Sequence, residues 1–392
     1  MHPFTRQVRD FFVSLKLTVV LLACSLVLVF AATLAQVELG IYVVQERFFH
    51  SFIAIWHVGS LYVPLPGGYL VGGLLLINLI AAHIYRLKFE WRKAGIQLTH
   101  GGLIVLLIGE LLTGLWQEDF SMQLSENETK SYSESFRLHE LAVIDTTDAQ
   151  FDDVVVIPDT KLARSETVQH PKLPFRVVTR AFYPNAALAR RDASAPQAAG
   201  SAVPAITQGM GSAVAVTPLP ITYKPNETNS PAAIIEIIGA DASLGTWLVS
   251  PELGMPQTFS HAGRTWRLAL RLQRAYKPFA LQLLKVTHDI YVGTDLPKNF
   301  SSRIKLTTPD GRDDREVLIY MNNPLRYGGF TFYQYQMNAA TGLTVFQVVR
   351  NPSWLLPYIA CIMMGFGLVL QFGLSLLKFI DKRRTTSTPA AA

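Results

Sequence analysis

Four polar side chains lie inside otherwise apolar stretches, and their types limit the chemistry on offer: Asn78, His83, His100 and Glu110. A polar or ionisable group in hydrocarbon is costly, so each is a functional candidate. Neutral imidazole is a good axial ligand for haem iron, and an apolar slot between helices suits a macrocycle. His83 stands three residues before Arg86, and His100 seven after Lys93. With about 1.5 Å of rise per residue, His100 is roughly 10 Å into its run. The two runs make a hairpin with a short loop, which puts both histidines in the inner leaflet, facing each other or a partner subunit. Taken alone, each suits a hydrogen bond between helices as well as it suits iron. Asn78 reads as a bond to a neighbouring helix, worth about 0.5–2 kcal/mol. Glu110 reaches toward the outer interface or a partner's cation, and neither is given a catalytic role.

Composition sets the elements that hold these residues. Of 392 residues 49% are hydrophobic and only 16% charged, where soluble chains carry about 25% charged residues. The excess is concentrated in four runs, 17–35, 67–85, 95–115 and 354–377, each near the length of about 20 residues that a bilayer requires. The fold class is a membrane protein, α+β, with four transmembrane helices. Lys and Arg cluster before the first run, between the second and third, and after the fourth. Those segments hold 11 basic against 3 acidic residues, and the remaining chain 24 against 26. The positive-inside rule puts the three segments, and with them both termini, in the cytoplasm of a cell whose inner membrane the chain spans. The net charge of +6 is therefore a topology signal and does not indicate nucleic acid. Leu21-Leu-Ala-Cys24 resembles a lipoprotein box, but apolar residues continue beyond it, as in a retained helix. Cys24 and Cys361 sit in no C-x-x-C or C-x-x-C-H setting, which excludes a thiol-disulfide centre, a cysteine zinc site and covalently held c-type haem.

Three regions follow: a membrane region at 1–116 with three helices, an external domain at 117–351, and the fourth helix with a cytoplasmic tail at 352–392. For a bacterium the external side is the periplasm. The external domain alternates short β-branched and aromatic runs, among them Leu141-Ala-Val-Ile, Asp153-Val-Val-Val-Ile, Ala233-Ile-Ile-Glu-Ile-Ile and Phe330-Thr-Phe-Tyr, with Gly, Pro, Asn and Asp between them. That spacing predicts an antiparallel β-sandwich or open barrel. Residues 184–231, rich in Ala, Pro, Ser and Gly, predict a flexible insertion. From Glu38 to Pro66 the aromatic residues Phe48, Phe49, Phe52 and Trp56 recur with Ile55 at helical spacing, predicting a short helix on the membrane surface. On that helix His50 and His57 would share a face, as a metal or haem pair or as two interfacial histidines. The external domain shows no G-x-S-x-G, H-E-x-x-H, phosphate loop or dinucleotide fingerprint, which favours a binding or scaffold role over catalysis.

The stretch before the last span is the most distinctive. Pro297-Lys-Asn-Phe-Ser-Ser-Arg303, then Tyr320-Met-Asn-Asn-Pro-Leu-Arg-Tyr-Gly-Gly-Phe-Thr-Phe-Tyr-Gln334, then Arg350-Asn-Pro352 running into the fourth span, resemble the ResB family, also called CcsB. The order of three spans, a large external domain and a fourth span is similar to that family too. The resemblance implies a subunit of system II cytochrome c maturation, acting with a ResC/CcsA-type membrane partner. That partner carries a tryptophan-rich haem-handling motif, which this chain lacks. Together they move haem outward and promote its attachment to apocytochrome c. Haem b in transit is then the non-covalent cofactor, with this chain an accessory subunit and not itself an enzyme. A periplasmic thiol reductant and membrane lipid complete the partners. By resemblance His83, in Asn78-Leu-Ile-Ala-Ala-His-Ile-Tyr-Arg, is the axial ligand to haem iron, His100 is the second choice, and Arg86 and Lys88 attract the propionates. The Asn299–Arg303 and Asn322–Gln334 motifs also suit turns and a buried strand. Two further readings stand beside this one: a membrane scaffold without haem, and a b-type haem subunit passing electrons, which requires histidine pairs at two depths.

Overall fold

The structure is a computed structural model, which describes residues 3–86, 90–190, 203–222, 229–240, 242–290, 297–338 and 340–386. The chain divides into two compact units, one of 1–118 and 350–392, the other of 119–222 and 226–349.

The first unit holds α1 (Pro3–Phe12), α2 (Leu15–Val44), α3 (Gly68–Arg86), α4 (Ala94–Trp116) and α6 (Leu356–Thr386), while α5 (Asp159–Ala163) belongs to the second. α2, α3, α4 and α6 are long and apolar enough to cross a membrane. Ser14 starts α2 as its N-cap, its Oγ accepting from the Lys16 N–H at 3.2 Å. α2 is broken at Gly40, whose φ of 74° no helix interior accommodates. Asn78 is buried on α3 and bonds to the α1–α2 break, so it is the interhelical bond its position suggests. α4 packs on α6 through Gly95, Gly102 and Gly109. A Cβ on Gly102 would stand 2.7 Å from Met364 Cγ and 2.9 Å from the Ala360 carbonyl, so only glycine allows the approach.

The surface helix expected between Glu38 and Pro66 is not formed. α2 runs past the predicted end at 35, passes into a π-turn at Gln45–Phe49, and gives way to a hairpin of β1 (Ile53–Val58) and β2 (Leu61–Pro66). Val58 pairs with Leu61, leaving the two-residue loop Gly59-Ser60, with Gly59 at φ +59°. A two-residue hairpin loop demands positive φ, which Gly59 supplies. His57 therefore lies on a strand, edge-on to Tyr62 at 4.6 Å between centroids, and shares no helix face with His50.

The second unit is built from β3 (Glu118–Ser125), β4 (Thr129–Asp145), β5 (Asp153–Pro158), β6 (Thr167–Val168), β7 (Arg176–Tyr183), β8 (Ala186–Arg190), β9 (Val214–Pro218), β10 (Ala232–Ile238), β11 (Ser243–Val249), β12 (Gln257–His261), β13 (Arg264–Ile290), β14 (Pro297–Thr307), β15 (Asp314–Tyr320), β16 (Leu325–Tyr327), β17 (Phe330–Asn338) and β18 (Leu343–Arg350). One sheet runs β15-β14-β13-β4-β3-β18-β17-β16, with β5 and β12 paired alongside, and a second runs β11-β10-β7-β6. Sandwich and barrel both occur. Leu141, Val143, Trp266 and Leu268 of the first sheet meet Val177, Ile235, Ile237 and Val249 of the second. Farther along, the large sheet curls nearly closed around Met122, Leu124, Phe279, Leu281, Ile304, Phe332 and Phe346.

β13 serves both cores by changing phase. Trp266, Leu268 and Leu270 point inward, then Phe279, Leu281 and Leu283 do. Alternation alone would keep the even positions inside. Register shifts against β4 between Leu272 and Arg274, and between Tyr276 and Leu281, move the odd positions in.

The expected flexible insertion at 184–231 is partly folded. β8 pairs with β9, and Ala186 and Ile206 are buried with Ile234 and Leu248. Asn185 holds both flanks, its Nδ2 donating to the Pro220 carbonyl at 2.8 Å and its Oδ1 accepting from the Ser230 N–H at 3.1 Å. Small apolar residues can pack where large ones are scarce, so low complexity here does not mean absence of a core. Residues 191–202 and 223–228 lie outside the described residues.

Candidate functional site

The two histidines of the apolar helices end one helix and begin the next. His83 is half-buried on the last turn of α3, and its Nδ1 is buried with no hydrogen-bond partner among the described residues. Buried polar atoms nearly always find partners, so an orphan marks an unmet demand. His100 is half-buried one and a half turns into α4, and its Nδ1 donates to the Ile96 carbonyl at 2.8 Å. A carbonyl only accepts, so the proton is fixed on Nδ1 and the Nε2 lone pair is left for another partner.

Helix periodicity aims His100. It precedes Gly102 by two residues, about 200° round the helix, and so points away from the glycine seam that α6 covers. Gly114 lies fourteen residues beyond His100, and Tyr69 lies fourteen before His83. Fourteen residues are about 21 Å of rise and return to within about 40° of the same face. His50 occupies that far end. Its ring stacks on Tyr69 at 5.6 Å with 10° between planes, and its Nε2 would lie 3.7 Å from a Cβ on Gly114. Its Nδ1 is 3.3 Å from Glu46 Oε1. One histidine thus stands at one end of the α3 and α4 faces and two at the other. Sequence reasoning placed His50 with the wrong partner. The usable signals were the i,i+4 spacing of Glu46 and His50 and the matched fourteen-residue intervals.

Among the described residues no group of three or more His, Cys, Asp or Glu could hold a bare metal ion. Isolated imidazoles with a free ring nitrogen suit iron that already has four porphyrin nitrogens and needs only axial ligands. His100 offers such a nitrogen in Nε2, whereas the partnerless Nδ1 of His83 is enclosed. Arg86 is exposed at the end of α3, and Lys88 lies outside the described residues.

The distinctive motifs of the β-rich unit are held by their own hydrogen bonds. Ser302 Oγ donates to Gln334 Oε1 at 2.8 Å, and Gln334 Nε2 donates to Thr344 Oγ1 at 2.8 Å, closing a buried network between strands. Asn322 turns at φ +62°, and the Tyr327 hydroxyl donates to Asp313 at 2.6 Å. In the first unit Asn351 Oδ1 accepts from the Ser353 N–H at 2.9 Å, and its Nδ2 donates to Thr113 Oγ1 at 3.1 Å, seating the start of α6. These side chains are used up in folding.

Compared with known proteins, the family model described as ResB-like family matches residues 254–343. This segment is ResB-like. The resemblance read from the sequence stands on it. A stretch of the chain is also 28% identical over 102 residues to Protein NrfI of Wolinella succinogenes, covering 26% of this chain. The chain spans only 11% of that relative's length. The ResB-like segment carries β12 to β17 and the Ser302–Gln334 bond, and lies far in sequence from His83 and His100.

Proposed function

We propose that the chain is a multi-pass subunit of the system II cytochrome c maturation complex. Both termini are cytoplasmic and the β-rich unit is periplasmic. The ResB-like match over 254–343 carries this reading, and the likeness to Protein NrfI supports it. Four apolar helices support the membrane placement, and the basic flanks support its sidedness. The chain acts with a ResC/CcsA-type partner in haem export and in delivery for covalent attachment to apocytochrome c, as an accessory subunit and not the catalyst.

Haem is the cargo, held non-covalently. His83 supplies one axial imidazole, as the ResB resemblance implies, and a partner histidine supplies the other. His100, with Nε2 free, is the second choice. Arg86 at the rim meets a propionate. The test is a pyridine haemochrome spectrum of the complex purified at matched yield as native chain, His83→Ala, His100→Ala and His50→Ala. Non-covalent b-type haem is expected to fall by more than half in His83→Ala alone, and to persist in His50→Ala, about 21 Å away along α3. Unchanged haem in His83→Ala would overturn the ligand assignment and leave the chain a scaffold.

A further inference from the structure

The β-rich unit contains a cleft of about 290 Å³ whose wall is a row of arginines on β13. Trp266, Leu268 and Leu270 face the sandwich core, so Arg267, Ala269 and Arg271 face the other way, into the cleft. Simple alternation would turn Arg274 away from them. The register shift between Leu272 and Arg274 brings it back to the same wall.

The charges on that wall do not cancel. Arg271 Nε donates to Glu140 at 3.0 Å, and Arg274 Nε donates to Glu134 at 3.0 Å. Arg267 has no carboxylate partner among the described residues. Arg271 Nη2 is buried, lies 3.0 Å from the Glu140 oxygen already taken by Nε, and makes no aligned hydrogen bond. The cleft therefore presents one cation, Arg267, without a carboxylate partner among the described residues, beside Arg271 and Arg274, which are already paired. Opposite them Leu253, Met255 and Pro256 supply an apolar side, with Met255 63% exposed beyond the positive-φ turn at Gly254.

We propose that this cleft binds a carboxylate carried on an apolar body, with the Arg267 guanidinium taking the carboxylate and the Leu253–Pro256 loop covering the apolar part. A single excess cation matches a monoanion better than a phosphate dianion, and planar guanidinium suits the carboxylate fork. The acid is a small free molecule or the propionate arm of a porphyrin. The cleft stands whether or not haem is the cargo of His83.

The probe is 4-fluorophenylacetate, observed by ¹⁹F NMR with the full chain in phosphatidylcholine nanodiscs. The neutral 4-fluorophenylacetamide serves as control. Saturable binding of the acid, at least tenfold weaker in Arg267→Gln and absent in Ala269→Leu, with thermal unfolding of both variants unchanged, is the expected result. Displacement by metal-free mesoporphyrin IX but not by its dimethyl ester would assign the site to a propionate. Lack of displacement would assign it to a smaller acid. Equal binding of acid and amide, native-like binding in Arg267→Gln, or no binding of the acid would overturn the proposal.

Discussion

Asn78 Nδ2 donates to the Phe12 carbonyl at 2.6 Å, sixty-six residues away in the chain. The same nitrogen reaches the Ser14 carbonyl at 3.2 Å, and Oδ1 accepts from Thr18 at 2.6 Å. One amide thus satisfies the backbone groups freed where α1 ends and α2 begins. Asn78→Leu keeps the volume and removes every one of these bonds. It is expected to lower the stability of the helical unit by about 1–3 kcal/mol, the usual cost of stranding buried polar groups. Thermal unfolding in detergent measures this, and an unchanged midpoint would contradict it.

Gly102 tests the seam between α4 and α6. Gly102→Leu forces its Cβ against Met364 and the Ala360 carbonyl, at a cost of about 1–3 kcal/mol in line with overpacking. Because Gly72 has open space around it, Gly72→Ala should leave the midpoint unchanged. Equal losses in the two variants would show that α4 and α6 do not depend on this contact.

Lys277 is a cation enclosed without a carboxylate partner among the described residues. It is 7% exposed, and its Nζ donates to the Ser133 hydroxyl at 2.5 Å and lies 4.4 Å over the Phe330 ring. Burial lowers its pKa from 10.5 to about 8. Above pH 10.5 neither folded nor unfolded chain carries the charge. As pH falls from 10.5 to about 8 the unfolded chain takes up the proton first, so stability is lost across that window and the loss is complete below it. The gap corresponds to about 3 kcal/mol, of which the aromatic face returns part. Lys277→Met should therefore stabilise the β-rich unit at pH 7 by about 1 kcal/mol or more, and the advantage should vanish above pH 10.5. Unfolding midpoints at pH 7, 9 and 10.5 decide the matter, and a variant less stable than native at pH 7 would refute it.

The long helices are legible in the sequence because an apolar run of bilayer length has few other solutions. His83 and His100 are legible for the same reason, as polar residues inside apolar runs. The state of their ring nitrogens is not, since a neighbouring carbonyl decides it. Glu38 to Pro66 misleads because Phe48, Phe49, Phe52 and Trp56 imitate helical spacing, while Gly59-Ser60, a two-residue turn, decides for a hairpin. Arg267, Arg271 and Arg274 do not announce themselves as a group. Their odd spacing puts the last on the wrong face until a bulge corrects it, and bulges leave little trace in one sequence.

β13 is one strand with two allegiances. Its Leu268 belongs to the sandwich and its Leu283 to the barrel, yet the backbone between them is continuous. A one-residue slip in either half would be inherited by the other and would expose both apolar rows together. Each half therefore proofreads the pairing of its neighbour, and a misthreaded intermediate finds no partial refuge.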